Sequence, residues 1–196
     1  MINDIANILK TQIEGLTWIE IIEGIVKPLK YTQKGGKEVT IPAVINATPT
    51  LCQQGKYLDL VPNSKKKSII YFEDQGFDET DSFTCHYLRY SAMLRLISWV
   101  NLKLINQTYN STTLLEQSII KAINYQLANS NPYVKITARL EKMIQKGADL
   151  FGDYNYKEVQ SQFITYPYDA FGMDWKVEFS IHKSCILDVI LDPAIC

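Results

Sequence analysis

The longest alternation of apolar and polar positions in the chain covers residues 83–106. A period of two predicts a β-strand with one apolar face. The strand would be much longer than the usual length of about five or six residues, so we expect it to project beyond its own domain or to be shared with a neighbour. The even-numbered positions are mostly apolar or aromatic: Leu88, Tyr90, Ala92, Leu94, Leu96, Val100, Leu102 and Leu104.

A helix is the alternative for this stretch, because Leu88, Ala92, Leu96 and Val100 also follow one another at i, i+4 spacing. The aromatic content and the lack of an internal helix stop signal favour the strand.

One helix is predicted before this strand in the chain, and a second helix is predicted after it. The first carries Ile5, Leu9 and Ile13 at helical spacing and ends at Gly15. The second begins at a capping box formed by Thr113 and Glu116 and ends near residue 129. A short third helix is predicted for residues 156–163.

Several shorter segments are predicted to be strands from their β-branched content and alternation. Residues 133–144 fit a strand or a helix, and we favour the strand. Residues 73–81 are acidic and are predicted to be a polar connection, and residues 166–172 an aromatic turn. The predicted strands are 17–31, 38–45, 57–61, 68–72, 133–144 and 173–181.

The order of these elements predicts an α+β fold. We expect a twisted mixed β-sheet with two main helices packed on one side and one unusually long central strand. No repeat, low-complexity tract or composition shift divides the chain, so residues 1–196 are predicted to form a single domain.

Composition is that of a folded protein, with 46% hydrophobic and 21% charged residues. The formal net charge of -1 predicts no global attraction to nucleic acid or anionic membrane. No signal peptide or apolar run of membrane-spanning length is present. The lack of such a run predicts no membrane partner. The four cysteines are widely spaced, which suits reduced thiols in a cytoplasmic protein.

Three adjacent lysines, Lys65, Lys66 and Lys67, are predicted to form the tip of a hairpin. Such a tip is most often a solvated turn, and the alternative is a surface that contacts DNA phosphates. The acidic segment that follows lacks the spacing of a calcium loop, so no metal site is predicted there.

Candidates for catalysis are few, since His86 and His182 are the only histidines. His86 lies next to Cys85 on a strand, and adjacent strand residues point to opposite faces, which disfavours a shared metal. His182 and Cys185 give two potential zinc ligands without a third. No nucleotide-binding or hydrolase motif is present. We therefore predict no catalytic residue, no cofactor and no metal, and a chain that is not an enzyme.

One stretch near the end resembles a known family. Residues 148–156 (ADLFGDYNY) and 163–171 (FITYPYDAF) lead directly into the last strand. They are similar to the turn and strand of tail-terminator and neck (head–tail connector) ring proteins of tailed bacteriophages or prophages of Bacteroidota-type hosts. The opening helix followed by a strand carrying Trp18 is similar in style, and the order of elements agrees over most of the chain.

The resemblance implies a structural virion protein, assembled in the host cytoplasm, that forms a ring at the head–tail joint or at the end of the tail tube. It implies a hexamer or dodecamer of identical subunits that contacts neighbouring neck, portal or tail-tube proteins and leaves a channel for transient, non-specific DNA passage. It carries no catalytic motif, so no site residue is transferred.

Exposed strand edges are the expected means of ring assembly, because they can add to the sheet of a neighbour. Val39 and Ile41 lie on a predicted edge strand and are the expected subunit contacts. A non-viral α+β scaffold or ligand-binding module is the alternative, and it predicts an apolar pocket. A small cytoplasmic enzyme is a further alternative, and it predicts a cleft with several titratable groups of shifted pKa.

Overall fold

The structure is a computed structural model, and it describes residues 2–32, 35–44, 60–84, 87–105, 111–127, 134–144, 150–155, 163 and 165–182. Within these residues the chain forms two helices and seven strands. In chain order they are α1 (Ile2–Ile13), β1 (Ile21–Thr32), β2 (Glu38–Val44), β3 (Ser68–Thr84), β4 (Tyr87–Asn101), α2 (Thr112–Ala122), β5 (Gln126–Leu127), β6 (Val134–Ile144) and β7 (Tyr168–His182).

The seven strands form one mixed sheet in the order β2-β1-β3-β4-β7-β6-β5. Strands β1 and β3 are parallel, and every other neighbouring pair in this order is antiparallel. The chain therefore has an α+β fold with two helices and a mixed sheet, as predicted. None of the helices in the described part of the chain is long and apolar enough to span a membrane.

Both helices lie on the same face of the sheet. The buried side of α1, including Leu9 and Ile13, and the buried side of α2, including Leu115 and Ile119, belong to one hydrophobic cluster. Ala92, Leu94, Leu96 and Val100, on the even-numbered side of β4, join this cluster, as the alternation of the sequence predicts.

The opposite face of the sheet has a second hydrophobic cluster, and chain segments rather than helices cover it. Leu150, Phe151, Tyr154 and Phe163 pack there against strand residues that include Trp99. The odd-numbered side of β4 is thus apolar near its carboxyl end and polar nearer its beginning.

The predicted central strand is confirmed as β4, which pairs with β3 on one side and β7 on the other. It ends at Asn101, whose carbonyl accepts a hydrogen bond from the Leu104 N–H in a turn. With 15 residues it is similar in length to β3, with 17, and β7, with 15. The expectation of a single exceptionally long strand is therefore not confirmed.

The acidic segment 73–81 was predicted to be a connection, and this prediction is wrong because the segment lies within β3. Its backbone pairs with β4, where Glu73 lies directly opposite Arg95. Opposite charges across strands stabilise such a pair. The register shifts between Asp74 and Phe77, where Gly76 has a positive φ of 131°, so the polar composition reflects a β-bulge inside a strand.

Two other predicted boundaries differ from the structure. Strand β1 begins at Ile21, because Trp18 instead turns into the helix-side core and donates its indole N–H to Ser118 Oγ at 2.9 Å. Helix α2 begins after Ser111 with no side-chain cap hydrogen bond, so the predicted capping box does not form. It ends at Ala122 because the chain then extends toward β5.

The segments around the last two strands are mostly as predicted. Residues 134–144 are a strand, and β7 is longer than expected because residues 168–172 of the predicted aromatic turn already pair with β4. Leu60 and Val61 are not in a strand, so the predicted hairpin partner of β3 is absent from the described part of the chain. The predicted helix 156–163 falls almost entirely outside the described residues.

Candidate functional site

The lysine tip is a turn in which the backbone holds most of the hydrogen bonds. The Lys65 N–H bonds to Asn63 Oδ1 at 3.0 Å, and the Lys66 N–H bonds to Asn63 O at 3.2 Å. The Lys67 ammonium group donates to Thr17 O at 2.7 Å. Lys67 therefore ties the tip to the end of the α1–β1 connection, and the solvated-turn interpretation fits this geometry.

The edge strand β2 does not present Val39 and Ile41 to a neighbour. Both side chains face the second hydrophobic cluster, and Val39 is only 2% exposed. The outer edge of β2 is also occupied, because the Thr40 N–H donates to Asn155 Oδ1 and Asn155 Nδ2 donates to Glu38 O. Pro42 has no N–H to offer a partner strand.

A second unpaired edge belongs to β3, beyond the point where β1 separates from it. Strand β1 pairs with β3 only from Ile21 to Ile25, and then turns to pair with β2 from Val26 onward. From Asp74 to Thr84, β3 has no strand partner on that side among the described residues. A free edge about ten residues long is a template for another strand.

A row of charged side chains crosses the second face of the sheet beside this edge. Glu73 on β3, Arg95 on β4, Asp174 on β7 and Lys142 on β6 are successive cross-strand partners. Arg95 holds Asp174 in a bidentate pair, with Nε to Oδ1 at 2.7 Å and Nη2 to Oδ2 at 3.1 Å. This row separates the apolar part of the face from its polar part.

Glu73 and Asp174 are the two carboxylates of the row, and each residue is 8% exposed. Tyr154 donates its hydroxyl hydrogen bond to Glu73 Oε1 at 2.6 Å. Burial raises the pKa of Glu73 above its ordinary value of 4.5, while the Tyr154 hydrogen bond opposes the rise and the nearby charge of Asp153 adds to it.

A cleft of about 400 Å³ opens where β1 and β3 separate. Its walls are apolar at Ile2, Ile25 and Val26, and they carry one basic residue, Lys27, and three acidic residues, Glu73, Asp74 and Asp153. The cleft includes residues at the start of the free edge of β3 and at the start of α1.

The raised pKa of Glu73 predicts a pH dependence of stability. The native state binds this proton more tightly than the unfolded chain, so the contribution to stability is complete below pH 4.5 and is lost as pH rises through the raised pKa. We therefore expect Glu73→Gln to become more stable relative to the wild type as pH increases from about 4.5 toward neutrality. Urea unfolding of both proteins across this range measures the difference.

Asp74→Asn is the matched control for this experiment, since Asp74 is an exposed neighbour on the same strand. Its stability relative to the wild type is expected to vary less with pH. A Glu73→Gln difference that is constant or that falls with rising pH contradicts the argument.

Among the residues that the structure describes, no group of three or more His, Cys, Asp or Glu side chains is arranged to hold a metal ion. Cys85, His86 and Cys185 lie outside the described residues, and the structure describes His182 only as the last backbone position of β7.

Sequence reasoning missed Glu73, Tyr154 and Asp174 as a group. Each of these residues lies on an alternating strand or beside an aromatic motif, and that position was the only signal in the sequence. The register of the sheet is what brings the three side chains together. Glu73 and Asp174 are separated by 101 positions of sequence and by a single strand of the sheet.

Comparison with known proteins gives no family for this chain. No protein-family model matches the sequence, and no curated protein matches it either.

Proposed function

We propose that the chain is a structural virion protein of a tailed bacteriophage, one subunit of a ring at the head–tail joint or at the end of the tail tube. The ring joins stacked neighbours, which are neck, portal or tail-tube proteins, and leaves a channel for DNA. We propose a hexamer or dodecamer, a twisted sheet and no catalytic role.

The free edge of β3 is the observation that carries this proposal. On the side away from β4, main-chain groups along Asp74 to Thr84 have no strand partner among the described residues, whereas Asn155 occupies the edge of β2. A subunit whose described residues close one edge and leave a longer one open is suited to strand addition by a neighbour.

The segment that resembles ring proteins also supports the proposal. Its residues Phe163 and Tyr168 pack on Trp99, while Tyr166 between them is 76% exposed. A large exposed aromatic side chain is enriched at protein contacts. Part of this segment is therefore packed in the core, and Tyr166 is accessible to a partner.

The proposal predicts that a proline in the β3 bulge abolishes assembly without unfolding the subunit. Gln75 lies where the β3–β4 register skips, so its N–H is not part of the paired ladder, and bulges tolerate proline. We expect wild-type protein to form closed rings and Gln75→Pro to be monomeric. Light scattering over a concentration series, with negative-stain images, measures this.

Gln75→Thr is the matched control, because both substitutions lose the weak bond from Gln75 Nε2 to Glu73 Oε2 at 3.4 Å, and only proline blocks the edge. Circular dichroism checks that each variant folds. A wild-type protein that stays monomeric at high concentration, alone and with purified tail tubes or portals, contradicts the ring.

The cleft between β1 and β3 favours one alternative, a ligand-binding module. Its volume suits a small molecule, and its walls combine apolar groups with three carboxylates and one lysine. A monomeric wild-type protein that is stabilised by a small cationic ligand in a thermal-shift screen supports this alternative.

A further inference from the structure

The sheet has a second open edge on its far side. Strand β5 pairs with β6 only at Ile136 and Thr137, and the Ala138 N–H bonds to Tyr125 O. From Arg139 to Ile144, β6 has no strand partner on its outer side within the described part of the chain.

The two edge segments differ in charge by sequence. Residues 74–84, the open stretch of β3, contain four acidic residues and no basic one, and Glu73 just before them is buried opposite Arg95 of β4. Strand β6 contains three basic residues, Lys135, Arg139 and Lys142, all exposed, and one acidic residue, Glu141. Complementary charge favours pairing of unlike edges and disfavours pairing of like ones.

The directions of the strands are also compatible. Three antiparallel pairings separate β3 from β6, so these two strands run in opposite directions in one subunit. A copy placed side by side and shifted along the strands, so that the open part of its β3 comes level with the open part of β6, keeps these directions. It therefore presents its β3 to β6 as an antiparallel partner, which continues the antiparallel half of the sheet.

We propose that β6 of one copy pairs with β3 of the next, so that the contact between subunits is head-to-tail and the sheet is continuous around the assembly. This inference rests on the proposed function for the closure of a ring. A head-to-tail contact uses two different surfaces and closes when the rotation between copies allows it. The partner is therefore a second copy of this chain, recognised by an acidic strand edge against a basic one.

Two single-edge variants test the proposal. Gln75→Pro blocks the β3 edge, and Glu141→Pro blocks the β6 edge at the residue that the β6–β7 register skips. Each variant alone is expected to be monomeric, because it keeps one edge only. An equimolar mixture is expected to form 1:1 dimers and nothing larger, since the Gln75→Pro copy offers β6 and the Glu141→Pro copy offers β3.

Controls separate the edge effect from the loss of side chains. Glu141→Thr removes the ion pair between Arg139 and Glu141 without blocking the edge, and it is expected to assemble like the wild type. The dimer is expected to weaken as salt increases, since complementary exposed charges are screened. Analytical ultracentrifugation of the labelled variants measures both effects.

The outcomes distinguish this inference from the proposed function. Wild-type rings together with a mixture that stays monomeric overturn the β6–β3 contact and leave the ring in place. A mixture that forms dimers, with wild type that forms only open chains, supports the contact and counts against the ring. Dimers of either variant alone indicate a contact between like surfaces and also overturn the inference.

Discussion

Val39→Lys is expected to unfold the subunit or to lower its free energy of unfolding by at least about 3 kcal/mol. The side chain lies in the second hydrophobic cluster with 2% exposure, so an ammonium group there loses its water and gains no described counter-charge. Urea unfolding followed by circular dichroism measures the change. The sequence analysis instead expected Val39 to be a subunit contact, and a lysine at such a contact blocks assembly and leaves the monomer folded.

Glu38→Lys is the matched control on the same strand, because Glu38 is exposed at the start of β2. We expect its effect on stability to be within about 0.5 kcal/mol. A Val39→Lys variant as stable as Glu38→Lys contradicts the buried position of Val39. The same reasoning applies to Ile41, which faces the same cluster.

Trp99→Ala is expected to cost about 3–5 kcal/mol of stability. The side chain is 1% exposed, and its ring stacks on Tyr168 with centroids 5.5 Å apart and meets Phe163 edge-on at 5.9 Å. Its indole N–H donates to Phe163 O at 2.8 Å. Trp99 therefore fastens the segment before β7 to the centre of the sheet, and its removal leaves both a cavity and an unpaired carbonyl.

Trp99→Phe separates these two contributions. It keeps an aromatic ring in the cluster but removes the donor to Phe163 O, so a smaller loss of about 1–3 kcal/mol is expected. Chemical unfolding of both variants gives the comparison. Equal losses attribute the effect to what both variants lack, which is the indole N–H donor and the second ring of the side chain. A loss below about 1 kcal/mol for Trp99→Ala shows that the segment holds its place without this side chain.

The buried position of Val39 changes how assembly is best tested. Charge on the inner face of β2 disturbs the core before it reaches a neighbour, so it reports on folding rather than on subunit contact. Backbone substitutions at Gln75 and Glu141 avoid this problem, because the register of the sheet skips both residues. They address the main-chain groups by which an added strand would bind.

The row of charged side chains that contains Glu73, Arg95 and Asp174 affects both folding and the free edge of β3. Arg95 pairs with Asp174 through two hydrogen bonds, and Glu73 is held by Tyr154 from the covering segment. The unpaired stretch of β3 begins directly after Glu73. The protonation of Glu73 is therefore linked to the stability of the same strand that we propose for assembly.

Much of the fold could be predicted from the alternation of the sequence. The period-two patterns of β4 and β7 and the helical spacing of α1 depend only on which neighbours along the chain are apolar, and a buried face imposes that spacing directly. The α+β class, the strand of residues 134–144 and the order of the main elements follow from such local patterns.

Polar strands were harder to predict. The acidic segment of β3 has no apolar alternation beyond Phe72, and it forms a strand because β4 lies beside it and supplies Arg95 opposite Glu73. Helix α2 likewise ends where the chain extends toward β5. Strand β5 forms because it pairs with β6. In both cases the deciding contact is made with a neighbouring strand, and the apolar pattern of the segment itself does not show it.

The sequence by itself determined which residues are apolar on one side of each main element, and hence the class of fold, since burial of a repeating face needs no knowledge of the partner. Only the tertiary structure decided which strand edges are open. Strand β1 leaves β3 at Ile25 to pair with β2, and Asn155 then occupies the edge of β2. An edge is open or closed according to what lies beside it in space, and the pattern of a single strand does not contain that information.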